Sequence, residues 1–176
     1  VEDNEINQEV AVGLLEDAEI KVDIANNGKE AVDRLREKGE SFYDAVLMDL
    51  QMPEMNGVEF ARRLWEKKPT ARIVFWSQFK DEMYVRSLLK IVPPETVYGY
   101  ILKSNTKERI LSAIQTVLQD EQCWIDPEVR KVQGRTGHSL TALSDIEYEA
   151  LLDISLGLTD NLIAQRRYLS RRGVQS

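Results

Sequence analysis

The sequence is poor in the residues that build covalent or metal scaffolds: it has one cysteine, Cys123, and one histidine, His138. A lone thiol excludes an internal disulfide framework and fits a reducing compartment, so a cytoplasmic location is expected. One Cys and one His also fall short of a zinc set. His138 stands in a polar, glycine-containing stretch and reads as a solvated linker residue rather than a catalytic or phosphorylatable one. No apolar run approaches the ~18 residues that a membrane span needs, and no charged–apolar–small pattern opens the chain. No membrane partner is therefore expected.

Acidic side chains are plentiful, and unevenly placed. Residues 1–122 carry 23 acidic and 16 basic side chains, net −7, whereas residues 123–176 carry 7 of each. Arg166, Arg167, Arg171 and Arg172 cluster near the end, with no acid after Asp160. Such a cluster is either a solvated helix face or a patch for phosphate backbones.

Short apolar runs alternate with amphipathic stretches. Strands are expected at Lys21–Ala25, Asp44–Asp49, Arg72–Ser77 and Val97–Leu102. Helices are expected near Asn7–Asp17, Lys29–Lys38, Gly57–Lys67, Asp81–Ile91 and Thr106–Gln122. In the last of these Ile110, Ile114, Val117 and Leu118 recur at helical spacing. Val46-Leu-Met48 and Ile73-Val-Phe-Trp76 are near-continuous apolar, as parallel strands buried on both faces should be. The alternation predicts a doubly wound parallel α/β sheet. That pattern wants a further central strand before Glu2-Asp3, of which only Val1 is present, so the chain reads as trimmed at its start.

Asp49 is the most informative residue. It ends the run Asp44-Ala-Val-Leu-Met-Asp49 and is followed by a turn containing Pro53 and Gly57. In open α/β sheets ligands bind at the carboxyl ends of the strands, so a carboxylate there is placed for chemistry. Glu2-Asp3, Ser77 and Lys103 stand at or beside the ends of other expected strands. Singly they read as a capping acid, a strand-end serine and a snorkelling lysine. Jointly they describe an aspartate that accepts a phosphoryl group.

After Gln122 periodicity fades through Asp126-Pro127, Gly134 and Gly137, and residues 123–141 read as a linker with one short helical turn after Pro127. Residues 142–176 then offer three short helical segments. Ser144 and Glu147 form a capping box, Ile146, Ala150, Leu151 and Ile154 one apolar face, and Gly157 a stop. Thr159 and Ser170 cap the next two, the last reaching Ser176. Two short helices joined by a tight turn match a helix-turn-helix plan.

Residues 1–122 resemble the receiver domain of two-component response regulators, the CheY-like fold. The resemblance implies a five-stranded sheet of order 2-1-3-4-5, with its first strand largely missing here. It implies Asp49 as phosphoacceptor, and Mg²⁺ held by Glu2, Asp3, Asp49 and the backbone carbonyl of Gln51. Ser77 and Tyr100 would form the switch pair, Tyr100 turning inward when Ser77 shifts, and Lys103 would pair with the phosphoryl group. A cognate histidine kinase would be the donor, and a phosphorylation-dependent homodimer would form through the face at 81–122. A response regulator of this kind is not a conventional enzyme, although it catalyses its own phosphotransfer and dephosphorylation. One departure is the longer connection between Ser77 and Lys103 around Pro93-Pro94, which is expected to alter the dimer contact.

Residues 140–176 resemble the LuxR/NarL-type helix-turn-helix, on Leu143-Ser-Asp-Ile-Glu147 through Gly157 to Ser170-Arg-Arg-Gly-Val-Gln175. This implies DNA contacts from Arg171, Arg172 and Gln175, on a recognition helix that stops at Ser176 before completion. The leading reading is a phosphorylation-controlled transcription regulator. Its competitor is a receiver acting through protein contacts alone, of hybrid-kinase type or an engineered fusion, with a C-terminal module that does not bind DNA. A phosphoaspartate hydrolase would need a second aspartate two residues after the nucleophile, where Gln51 stands.

Overall fold

A computed structural model describes residues 1–39, 41–78 and 82–136. The helix-turn-helix segment, with Arg171, Arg172 and Gln175, lies outside the described residues, as does His138. The elements run α1 (Glu5–Glu16), α2 (Gly28–Lys38), β1 (Val46–Met48), α3 (Gly57–Lys67), β2 (Ile73–Ser77), α4 (Glu82–Ile91), β3 (Tyr98–Leu102), α5 (Lys107–Leu118), β4 (Trp124–Ile125) and α6 (Pro127–Thr136). The strands form one parallel sheet in the order β1-β2-β3-β4.

Helix starts follow from side-chain capping. Asn4, Asn27 and Asn56 precede α1, α2 and α3, and each side-chain oxygen accepts from first-turn backbone N–H groups. These caps satisfy donors that a helix cannot satisfy itself. The Asn4 cap also starts α1 two residues before the expected Asn7. At the other end of the sheet α5 stops at Leu118, short of the expected Gln122. Glu121 sits there at φ 53° and turns the chain back toward the sheet edge.

The sheet separates two cores. On one face Met48, Ile73, Phe75, Tyr100 and Leu102 pack with α2, α3, α4 and Val129 of α6. On the other Val74, Trp76 and Ile101 pack with Leu14 and Leu15 of α1 and with Ile110, Ala113, Ile114 and Val117 of α5. The all-buried pattern of β2 explains its continuous apolar run. Among the described residues no helix is long and apolar enough to cross a membrane.

Two expectations fail in instructive ways. Lys21–Ala25 is not a strand, because a strand needs a partner ladder along its length. Val1 and Glu2 stand in the place of that partner. The Val1 amino group donates to Leu47 O at 2.6 Å, Val1 O accepts from Asp49 N at 3.0 Å, and Glu2 N donates to Ala25 O at 3.1 Å. The first two bonds are those of a parallel bridge to β1, and the third reaches the extended segment beyond. Val1 and Glu2 thus occupy the central position that the 2-1-3-4-5 order requires.

The second concerns the stretch read as a linker. Its residues 124–125 form β4, which pairs with Gly99 and Tyr100 of β3, and 127–136 form a ten-residue helix rather than one turn. Asp126 makes the junction. It is buried, its Oδ1 accepts from Glu128 N at 2.9 Å to cap α6, and its own N–H donates to Tyr100 O at 2.9 Å. Val129 is fully buried and α6 packs against α4. A two-residue strand is too short to leave a periodic signal, so the sequence carries no sign of it beyond the capping Asp-Pro.

The long connection around Pro93-Pro94 is anchored. Thr96 is buried, its N–H donates to Pro93 O, its hydroxyl donates to Pro69 O, and its carbonyl accepts from the Cys123 thiol. It precedes β3, as Pro69 precedes β2, and so lies at the end of the parallel sheet opposite Asp49.

Gly57 is required by close approach. A Cβ there would stand 2.3 Å from Asp49 O and 3.0 Å from Leu50 Cα, both backbone atoms that cannot swing away. Gly57→Ala is expected to destabilise the fold by about 2–3 kcal/mol through overpacking, read as a lower urea midpoint with an unchanged m-value.

Candidate functional site

Parallel register brings the chemistry-bearing residues to one edge. Met48 pairs with Phe75 and Ser77 with Leu102. Asp49, one residue beyond β1, Ser77, the last of β2, and Lys103, one beyond β3, therefore stand side by side. The Lys103 N–H donates to Ser77 O at 2.8 Å and fixes the last step of that alignment. Glu2 follows the Val1 bridge and arrives at the same edge.

The centre is a lysine between two carboxylates. Lys103 Nζ donates to Glu2 Oε2 at 2.6 Å and to Asp49 Oδ2 at 2.9 Å, and all three side chains are at least nine-tenths buried. Below it the ammonium lies 5.1 Å from the centre of the Trp76 ring, an arrangement that favours the cation. Glu2 is held by Asn7, whose Nδ2 donates to Oε1 at 2.9 Å, while Gln8 Nε2 donates to its carbonyl. Asp3 is exposed, and oxygens of Glu2, Asp3 and Asp49 all lie within 4.8 Å of one another. Three carboxylates against one ammonium leave two negative charges at this edge.

Asp49 is 8% exposed, and burial pushes its carboxyl above the usual range. The hydrogen bond and charge of Lys103 pull the other way, the charge of Glu2 adds to the rise, and the Gln51 N–H, 3.4 Å from Oδ1, opposes it. Ser77 is fully buried. Tyr100, 1% exposed, already lies inward with its ring 6.2 Å from Phe75, so the inward position is the one this structure holds.

Three partners at this site escaped the sequence reading. Trp76 precedes Ser77 and points to the opposite face of β2, where its ring supports Lys103. Its indole N–H is buried with no hydrogen-bond partner among the described residues. Asn105, two residues after Lys103, donates from Nδ2 to Leu102 O at 3.0 Å and to Asp126 Oδ2 at 2.7 Å, tying the lysine's turn to the cap of α6. Tyr84 of α4 accepts from Gln51 Nε2 at 2.8 Å. Apart from the Asn105–Leu102 bond, each contact joins residues far apart in sequence, and only the alternation along β2 offered a signal, for Trp76.

The family model of the response regulator receiver domain matches residues 1–115. The chain belongs to the response regulator receiver family. It is 27% identical to the transcriptional regulatory protein LnrK of Bacillus subtilis over 193 aligned positions, covering 99% of this chain and 84% of that protein. It is 31% identical over 150 positions to the nitrate/nitrite response regulator NarL of Escherichia coli, covering 81% of this chain and 66% of that one. Among solved structures, a LuxR-family response regulator from Aurantimonas superposes with a TM-score of 0.64 at 22% identity, over 77% of this chain and 93% of that one. A structure of RcsB dimers bound to DNA superposes at 0.62 and 18% identity, over 99% and 83%. The receiver fold and the LuxR/NarL-type relatives agree with the resemblance drawn from the motifs.

The raised Asp49 carboxyl has a consequence for stability. Between the ordinary carboxylate value and the raised one, the folded receiver keeps a proton that the unfolded chain has already released, so this contribution is complete below the ordinary carboxylate range and is lost as pH rises through the folded-state value. An asparagine escapes that loss. Asp49→Asn is expected to raise the urea midpoint at about pH 7, with the gain shrinking toward about pH 4; equal gains at both would contradict the assignment.

Proposed function

We propose that this receiver accepts a phosphoryl group on Asp49 from a histidine kinase, with Mg²⁺, and controls transcription through its C-terminal segment in the cytoplasm. The observation that carries the reading is the buried Asp49 carboxylate, 2.9 Å from Lys103 Nζ and beside Glu2 and Asp3. An Asp49 oxygen attacks phosphorus, the bond from phosphorus to the donor nitrogen breaks, and the imidazole leaves with that electron pair. Transfer of this kind depends on positioning and charge stabilisation more than on covalent work by the protein.

Lys103 stands ready to pair with a phosphoryl oxygen while the acceptor oxygen forms its new bond. The fully buried Ser77 hydroxyl, at the end of the neighbouring strand, is the proposed second donor. The donor set suits a hard divalent cation: oxygen atoms only, three of them from carboxylates, with two surplus negative charges. Glu2, Asp3, Asp49 and the Gln51 carbonyl are the residues proposed to hold Mg²⁺, which when bound neutralises phosphoryl oxygens. This is stoichiometric chemistry on the protein itself, not turnover by a conventional enzyme.

Relatives named as transcriptional regulators, and the DNA-bound RcsB structure, support a DNA-binding output. Arg171, Arg172 and Gln175 remain the proposed contacts, within a division of the chain into receiver 1–122, connection 123–141 and DNA-binding segment 142–176. A homodimer through the 81–122 face would have to use side chains of α4 and α5, including the exposed Leu89, because β4 pairs with the β3 edge.

Asp49→Asn is expected to abolish labelling by a small phosphodonor, and chelation of Mg²⁺ to reduce wild-type labelling at least tenfold. Undiminished labelling of that variant would remove Asp49 from its role. Output is tested on the full-length protein in a DNA-binding titration at several salt concentrations. Binding is expected to tighten with beryllofluoride and to weaken steeply with salt; no binding in either state would favour a receiver acting through protein contacts.

A further inference from the structure

Gln51 has contacts in two directions. Its backbone N–H lies 3.4 Å from Asp49 Oδ1, and its side-chain amide donates to the Tyr84 hydroxyl at 2.8 Å. Tyr84 belongs to α4, is 1% exposed, and is among the largest fully buried side chains of the receiver. One residue of the acceptor turn therefore touches the acceptor on one side and a fixed point of α4 on the other, across 33 positions of sequence.

The two ends of this bond differ in freedom. The Tyr84 ring is enclosed in the core formed by α2, α3, α4 and the sheet, so its hydroxyl cannot move without repacking. The Gln51 side chain is half-buried on a turn with no regular structure, and its torsions are free unless something holds them. The phenol thus supplies the reference and the glutamine is the part that is held.

We propose that Tyr84 is a positioning residue for the acceptor site, setting the turn after Asp49 through the Gln51 amide and carrying the occupancy of that site directly to α4. The proposal rests on the reading of Asp49 and its neighbours as an Mg²⁺-assisted phosphoacceptor, but nothing in that reading calls for a phenol on α4. It gives α4 a connection to the site that does not pass through Ser77 or Tyr100. Coupling between two sites is reciprocal, so if the Tyr84 bond favours cation binding, the cation must stabilise the arrangement of α4 that makes the bond.

The test uses the full chain with Tyr84→Phe, Gln51→Ala and the double variant, the backbone carbonyl of residue 51 being kept in each. Mg²⁺ binding is followed by calorimetry, and amide hydrogen exchange across 84–91 is measured with and without Mg²⁺. Loss of one neutral hydrogen bond is expected to weaken Mg²⁺ binding about threefold to tenfold in each single variant. The double variant should be no weaker than the weaker single one, since both remove the same bond. Mg²⁺ should slow exchange in α4 of the wild type and have little effect there in either single variant.

Wild-type Mg²⁺ affinity in Tyr84→Phe, or effects that multiply in the double variant, would overturn the proposal. Should Tyr84→Phe fold poorly, Gln51→Ala alone decides: an unchanged affinity and an unchanged α4 response overturn it equally. A wild-type chain that binds no Mg²⁺ would instead overturn the acceptor reading, and this proposal with it.

Discussion

The receiver depends on one buried cation. Lys103 enters from the end of β3 and is shared between Glu2, beside the first strand position, and Asp49, at the end of β1. Removing two carboxylates and an ammonium from water costs several kcal/mol per ion, repaid only where geometry and further hydrogen bonds are good. Here Asn7 donates to Glu2, the Gln51 N–H approaches Asp49, and the Trp76 ring lies under the ammonium. The cost of burial is still visible in the raised Asp49 carboxyl. A site that holds a carboxylate in its less comfortable charge state is one where added positive charge will be favoured.

That cluster can exist only because the sheet is parallel and its register is fixed. Consecutive parallel strands present their carboxyl ends on one edge, and a slip of one residue would move Asp49, Ser77 and Lys103 to the wrong faces. The glycine at 57 belongs to the same constraint: α3 begins so close to Asp49 O that a methyl group has no room. Glu54, held at φ 63° in the turn between them, shows how tightly the chain reverses there. Such backbone strain is tolerated where the surroundings determine the conformation.

These features explain what was legible beforehand. Asp49, Ser77 and Lys103 could be read because each stands at or just beyond the end of an apolar run, and parallel topology turns that local fact into proximity. Glu2 and Asp3 could be read from the acidic pair and the expected central strand. The Lys21–Ala25 segment misled because its composition is strand-like, while strand formation depends on a backbone ladder that composition does not report. The β4–α6 addition was hidden for the opposite reason. Its strand is two residues long, and what secures it, the Asp126 cap, the Asn105 bridge and the buried Val129, is tertiary. Tyr84 was invisible in the same way, being an ordinary apolar-face residue of α4 until Gln51 is placed opposite it.

The inward position of Tyr100 bears on how a change at Asp49 could travel. An aromatic that is already 1% exposed has no further inward journey to make, so a readout based on its burial alone has little range here. The turn after β3 has more to transmit. Lys103 and Asn105 share that turn, and Asn105 is bonded to the carboxylate that caps α6. Any displacement of the Lys103 ammonium toward a new partner pulls on a turn whose other end is tied to α6, and α6 in turn packs on α4. The Gln51–Tyr84 bond reaches α4 from the turn after Asp49. Two short chains of polar contacts, starting at the lysine and at the turn after Asp49, thus meet on α4 and α6. Rigid packing between those helices means that they respond together rather than residue by residue.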